Sequence, residues 1–262
     1  MFNLANAELC KISDWLNANK SSVNYDKTNY IIFQPDKYKE NLINDNNYSI
    51  IFNNHVIQRI FCTKYLGVFI DDKLSWKEHI KFLTNKINSV IGVLYRNCSL
   101  LPISCKRCSF FALVHSHLTH CIEVYANTTK SNLNSLIIKC NSLLRVIQCK
   151  PRRTHIFDLY SNFNTLLVDL LFQMHILKLI HRCLYSRFKV PGVICNLFRA
   201  GSQLHCHGTR SQKNFIRQNN LDSKSISFYG PNLWNKLPLS LQSYATGHTF
   251  VKHLKLYLLG SI

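Results

Sequence analysis

The hydrophobic period of this chain changes once, near residue 75, and that change limits the folds open to it. Before it, apolar residues come in short runs, Tyr30 to Phe33, Ser49 to Phe52, Val56 to Phe61 and Tyr65 to Ile70, rich in β-branched and aromatic side chains. Pro35 stops the first run, and Asn53-Asn54 makes a hairpin turn after the second, so these runs read as short strands. Asn6 to Asn19 spaces Leu9, Ile12, Trp15 and Leu16 as an amphipathic helix would. After the change, Ser75 caps a helix in which Ile80, Leu83, Ile87, Ile91 and Leu94 recur every three or four residues. Pro102 opens a second helix through Phe110, Phe111, Val114, Leu118 and Ile122, Asn132 to Ile147 forms a third, and Leu166 to Tyr185 a fourth. Beyond Pro191 the pattern is irregular until a last helix from about Thr249 to Leu259. The predicted class is therefore α+β: a short helix and small antiparallel sheet over 1–75, a helical region over 76–150, and a basic, mainly helical region over 151–262.

Charge divides the chain at the same place. Residues 1–78 hold nine Lys/Arg and nine Asp/Glu, whereas the rest hold 23 and four, which accounts for the whole net charge of +19. So few carboxylates cannot neutralise so many cations internally, and the field must reach outward. Nucleic acid is the commonest polyanion to meet it; a basic but inert surface is the alternative. The 47% hydrophobic content excludes a disordered polar tail. No apolar run is free of charges over the length of a bilayer, so no membrane span is expected.

Eleven cysteines, an odd number spread over 262 residues, read as reduced thiols of an intracellular protein, cytoplasmic or nuclear. Cys98, Cys105 and Cys108 lack a second pair to complete a zinc site, and Cys195 with His205, Cys206 and His207 is little better, so no metal is expected. His115, His117 and His120 do not share one helical face and read as packing residues.

Lys64-Tyr65-Leu66-Gly67-Val68-Phe69-Ile70-Asp71, followed by Leu74-Ser75-Trp76-Lys77-Glu78-His79-Ile80, resembles the stretch after the palm in reverse transcriptases of non-LTR retrotransposons, LINE elements of the jockey kind. Upstream, Ile12-Ser13-Asp14-Trp15 with Asn19, then Asn24-Tyr25-Asp26-Lys27-Thr28, is similar to the segment that follows the catalytic aspartates there. Downstream, Leu101-Pro102, Ser116-His117-Leu118, Leu144 to Gln148 and Gly230-Pro231-Asn232-Leu233-Trp234-Asn235-Lys236-Leu237-Pro238 resemble the thumb and C-terminal region in order and spacing. The sequence departs from the pattern at Ser22, His120, Tyr125 and Cys140.

The resemblance implies the end of a palm with its primer-grip hairpin over 1–75, a thumb over 76–150, and a basic C-terminal region. It implies that the carboxylates holding two Mg²⁺ ions, and the fingers, lie before residue 1, so the chain itself carries no cofactor and has no polymerase activity alone. Phe69-Ile70-Asp71-Asp72 is expected to be a strand end and turn rather than a catalytic pair. Lys27 falls at the position of a lysine that protonates the leaving pyrophosphate as general acid; the alternative is an exposed lysine before a strand. Tyr65, Leu66 and Gly67 match the primer grip, and Trp76 is expected in the core. Lys81, Lys86 and Arg96 on the first thumb helix, with Lys150, Arg152 and Arg153, and Arg210, Lys213 and Arg217 near Phe215, are the expected contacts to RNA, DNA or their hybrid. Two other readings remain: a nucleic-acid-binding module derived from such an element, and an unrelated basic helical interaction protein.

Overall fold

The structure is a computed structural model, and it describes residues 2–33, 49–186, 190–198 and 225–260. Its class is α+β, with helices dominant and strands confined to the first part of the chain. The chain divides into two compact units, 1–79 and 80–262.

The first unit begins with helix α1 (Phe2–Ala18), followed by a 3₁₀ turn (Tyr25–Lys27) and β1 (Asn29–Tyr30). Next come β2 (Ile50–Phe52), β3 (His55–Arg59), β4 (Cys62–Tyr65) and β5 (Val68–Asp71). These strands form two sheets, one ordered β1-β3-β2 and the other a β4-β5 hairpin. The β2-β3 and β4-β5 pairs are antiparallel, each closed by a two-residue turn, with Asn53 at φ 48° and Asn54 at φ 65° in the first. β1, however, runs parallel to β3, with Asn29 opposite Gln58 and Tyr30 opposite Arg59. A parallel pair needs a crossover of about a dozen residues or more, and 24 residues separate the two strands in sequence. β1 is also shorter than Tyr30 to Phe33, because β3 ends at Arg59 and the last ladder bond is Ile60 N–H to the Tyr30 carbonyl.

Two expectations about α1 separate here. The helix forms, but only part of its apolar side is covered: Leu9 and Leu16 are half-buried beside Ser13, its one buried residue, while Ile12 is 48% and Trp15 63% exposed. What ties α1 to the sheet is a side-chain amide. Asn6 Nδ2 donates to the Ser49 carbonyl at 3.3 Å and Asn6 Oδ1 accepts from Ile51 N–H at 3.0 Å, so one asparagine meets the edge of β2 as a strand would.

α2 (Lys77–Arg96) buries Ile80, Leu83, Ile87 and Leu94, as its period requires. The helix expected after Pro102 is broken into α3 (Ile103–Phe110), a π turn (Phe111–His115), α4 (Ser116–Thr119) and α5 (Ile122–Tyr125). Cys121, at φ 55°, makes the break, and the buried Tyr125 hydroxyl donates to the Leu118 carbonyl at 2.6 Å, satisfying an acceptor that a continuous helix would have bonded. Phe110, Val114, Leu118 and Ile122 nonetheless all reach the core.

α6 (Lys130–Ile147) follows the expected stripe and starts two residues earlier than Asn132. α7 (Ile156–Phe163) is a helix the periodicity did not reveal; it has His155 as cap and ends at Asn164 in the left-handed region. α8 (Val168–Tyr185) packs against α5 and, later in the chain, against α9 (Gly192–Cys195), α10 (Ile226–Lys236) and α12 (Gly247–Leu259), which also contacts α11 (Leu239–Gln242). α10 corrects the expectation of irregular chain beyond Pro191. It holds most of the Gly230 to Pro238 string, with Trp234 1% exposed and Gly230 set against Ile180 and Phe198. Buried Gln242 donates to the carbonyls of Trp234 and Leu237 and so closes the helix end. No single helix among the described residues is long and apolar enough to cross a membrane.

Candidate nucleic-acid interface

The β4-β5 hairpin is built to present its tip. Leu66 at φ 46° and Gly67 at φ 90° form a two-residue turn of the kind that matches strand twist, with Tyr65 opposite Val68 across it. Tyr65, Leu66 and Gly67 are all exposed, Leu66 at 75%. Leucine is a costly occupant of that conformation, whereas the glycine is not.

At the base of the hairpin Asp71 organises the entry to α2. Its two carboxylate oxygens accept the Ser75 and Trp76 backbone N–H groups, each at 2.9 Å. Burial alone would raise the Asp71 pKa, but these hydrogen bonds outweigh it and hold the carboxyl below its ordinary range. His79 adds a second tie, accepting Phe69 N–H through Nδ1 at 3.4 Å. Asp71 thus has both oxygens committed to backbone, and no group of three or more His, Cys, Asp or Glu suited to a metal occurs among the described residues. This donor set does not fit a pair of Mg²⁺ ions. Trp76, expected in the core, is half-buried at the start of the helix with φ 64°.

Lys27 lies at the end of the 3₁₀ turn, exposed, its backbone N–H held by the Asn24 side chain at 3.2 Å. Lys81, Lys86 and Arg96 are exposed on α2. At about 100° per residue they occupy the side opposite Leu83, Ile87 and Leu94, spread over about 140° of arc and about 22 Å of axis. Lys86 sits over the Phe82 ring at 5.8 Å.

Lys150, Arg152 and Arg153 are exposed on the turn after α6. The helix ends in a Schellman motif: Cys149 occupies the left-handed position at φ 52°, Cys149 N–H bonds the Val146 carbonyl, and Lys150 N–H bonds the Arg145 carbonyl at 2.9 Å. That reversal brings Lys150 and Arg152 to a cleft of about 640 Å³ shared with Tyr95, Cys98, Ser142 and Arg145. Tyr95 is 72% exposed. Arg145 donates through Nη2 to the Thr154 carbonyl at 3.4 Å, while its buried Nε has no hydrogen-bond partner among the described residues. Cations, a hydroxyl and an exposed ring in one concavity can hold a phosphate and stack a base.

Tyr95, Ser142 and Arg145 were not singled out from the sequence. Tyr95 adjoins Arg96 on the polar side of α2, and Ser142, Arg145 and Cys149 follow one another at helical spacing; only the packing of α6 beside the end of α2 puts the two groups in one place. The structure brings Lys150 and Arg152 together with them, while Arg153 does not line the cleft. Arg210, Lys213, Arg217 and Phe215 lie outside the described residues. Of the three histidines read as packing residues, His115 is half-buried, its pKa lowered first by burial and then by His175 and Lys255, but His117 and His120 are exposed, because Val114 and Leu118 hold the core-facing side of this stretch.

No family model, curated protein or solved structure matches this chain.

Proposed function

We propose that this chain is the C-terminal part of an RNA-directed DNA polymerase of the non-LTR retrotransposon kind, carrying the end of the palm, the primer grip, the thumb and a basic C-terminal region. It grips a primer–template duplex, and the carboxylates that hold Mg²⁺ lie outside it. The observation that carries this reading is the order along the chain of an exposed tight hairpin at Tyr65-Leu66-Gly67, a turn organised by Asp71, and a helix whose cations oppose its apolar stripe. A hairpin tip without a bulky second residue lets backbone approach a sugar–phosphate strand, and cations along one side of a helix are suited to hold phosphates. The exposed Leu4, Ile12, Trp15 and Val56 of the first unit support a further element of the reading, that the missing fingers and palm are its partner.

Fluorescence polarisation of the whole chain against an RNA–DNA hybrid, single-stranded RNA and duplex DNA, over a series of salt concentrations, tests the proposal. Hybrid binding that weakens steeply with salt, together with no nucleotide incorporation in a primer-extension assay with Mg²⁺, is the expected result. Incorporation by the chain alone would overturn the assignment of the metal site, and binding insensitive to salt would leave an unrelated interaction protein as the better account. The Tyr95 cleft favours a second reading, a nucleic-acid-binding module, which predicts single-stranded RNA bound more tightly than hybrid.

A further inference from the structure

Two thiols and a buried amine meet at one point in the second unit. Cys98 follows the end of α2 and Cys149 follows the end of α6, and their sulfurs lie 3.0 Å apart. Lys106 Nζ is 3.5 Å from Cys98 Sγ and 3.7 Å from Cys149 Sγ. Lys106 is only 5% exposed, and among the described residues the two sulfurs are the polar partners of its side chain. A buried ammonium needs an anion beside it, and a thiolate on either cysteine supplies one.

We propose that Cys149 and Cys98 form a redox dithiol that takes an anionic small-molecule disulfide of the glutathione class as its oxidant and closes into an intrachain disulfide. Cys149 is the sulfur that attacks first. It is exposed on the rim of the cleft, held at the left-handed position of the Schellman motif, and flanked there by Arg145, Lys150 and Arg152, which attract an anionic reagent. The hydrogen bond shared with Cys98, and after it, against a rise from burial, the charge and hydrogen bond of Lys106, lower the Cys149 pKa, while the same contact with Cys149 raises that of Cys98.

The chemistry balances in two exchanges. The Cys149 thiolate attacks one sulfur of the reagent; a mixed disulfide forms, the reagent's own S–S bond breaks, and one small thiolate leaves and takes a proton. Cys98, giving up its proton, then attacks Cys149 Sγ; the Cys98–Cys149 bond forms and the second small thiol departs. Two protein thiols are oxidised, one reagent disulfide is reduced to two thiols, and two protons pass to the leaving groups. The sulfurs need to move only about 1 Å closer to reach bonding distance. The bond would join the end of α2 to the end of α6 in the wall of the cleft. By contrast, Cys140 is buried and its thiol is pushed up to about 12, so it takes no part.

None of this depends on the nucleic-acid reading, and the test involves no nucleic acid. The reduced whole chain is treated with oxidised glutathione, quenched with acid at intervals, and analysed by intact mass and peptide mapping. Expected is a chain lighter by two hydrogens with no retained adduct, the bond mapping to Cys98 and Cys149 and forming about tenfold faster than any adduct at exposed Cys10, Cys105 or Cys108 in the same molecules. Cys98→Ser is expected to stop at a stable mixed disulfide on Cys149, and Lys106→Met to slow the first exchange several-fold. A stable adduct on Cys149 in the unaltered chain, or equal rates at Cys10, Cys105 and Cys108, would overturn the proposal; this internal comparison needs no variant to fold.

Discussion

The carboxylate of Asp71 accepts the backbone N–H of Trp76 at 2.9 Å, and Trp76 holds a φ of 64° that a tryptophan rarely adopts. The bond holds an unfavourable residue conformation in place just where a strand must turn into a helix. Asp71→Ala is expected to cost about 1–2 kcal/mol, read from urea unfolding, with faster amide exchange confined to the first turn of α2. Because the folded pKa of Asp71 is depressed, its contribution is present above the unfolded aspartate range and is lost as pH falls through the lowered folded value. The stability difference between the unaltered chain and Asp71→Ala should therefore be full at pH 6 and shrink below about pH 4. A difference that grows on acidification would refute this account.

The two turn residues of the β4-β5 hairpin predict opposite responses. Leu66→Asn places a residue tolerant of φ 46° in the first position and should stabilise the chain by about 1 kcal/mol. Gly67→Val, at φ 90°, should destabilise it by about as much. If the hairpin grips a primer, Gly67→Val also weakens hybrid binding under conditions where the chain remains folded, whereas Leu66→Asn leaves it within about twofold. Thermal unfolding and polarisation on the same samples separate the two effects.

For the cleft after α6, the double variant Lys150→Ala/Arg152→Ala should lower the slope of log affinity against log salt by about 1.4–1.8, two phosphate contacts' worth. Tyr95→Ala should leave that slope unchanged while costing about 1–3 kcal/mol in single-stranded RNA binding, since stacking is not a counterion effect. Equal loss of slope in both variants would mean that Tyr95 acts on the cations and not on a base.

Gly230 faces Ile180 and Phe198 so closely that an added Cβ would lie 2.9 Å from Ile180 Cδ1 and 3.0 Å from Phe198 Cε1. Gly230→Ala is expected to destabilise the second unit by about 1–3 kcal/mol, the usual cost of overpacking a buried site. Adding Ile180→Val removes the nearer atom and should recover part of that loss. An additive double variant, measured by denaturant unfolding, would show that the contact with Ile180 is not the cause.

The long helices α2 and α6 were legible because each repeats an apolar position every three or four residues over several turns, and Leu83, Ile87, Leu136 and Leu143 are buried where that stripe puts them. Short α7 and α10 carry too few turns for a period to stand out, and α10 has a glycine and a proline in its interior that read as breakers until Ile180 and Phe198 are seen to pack on the glycine. The break at Cys121 was hidden for a related reason: Phe110, Val114, Leu118 and Ile122 stay in the core although the helix that seemed to connect them does not continue. At the candidate site, the cations were visible as composition, but Tyr95 and Arg145 were indistinguishable from other residues of a polar helix side.

Sequence alone determined the change from strands to helices near residue 75, the hairpin turn at Asn53-Asn54, and a second region so rich in cations that its field must act outside itself. These follow from spacing, turn chemistry and charge, which are local or additive quantities. The run Tyr65 to Ile70, read as one strand, is instead split by the Leu66-Gly67 turn. Only the tertiary structure decided that β1 pairs parallel to β3, that the Asn6 amide of α1 bonds the edge of β2, and that Tyr95, Cys98, Arg145 and Cys149 share one cleft. Each of those joins residues far apart in the chain, and which distant groups meet is set by how whole elements pack, a choice that no window of neighbouring residues contains.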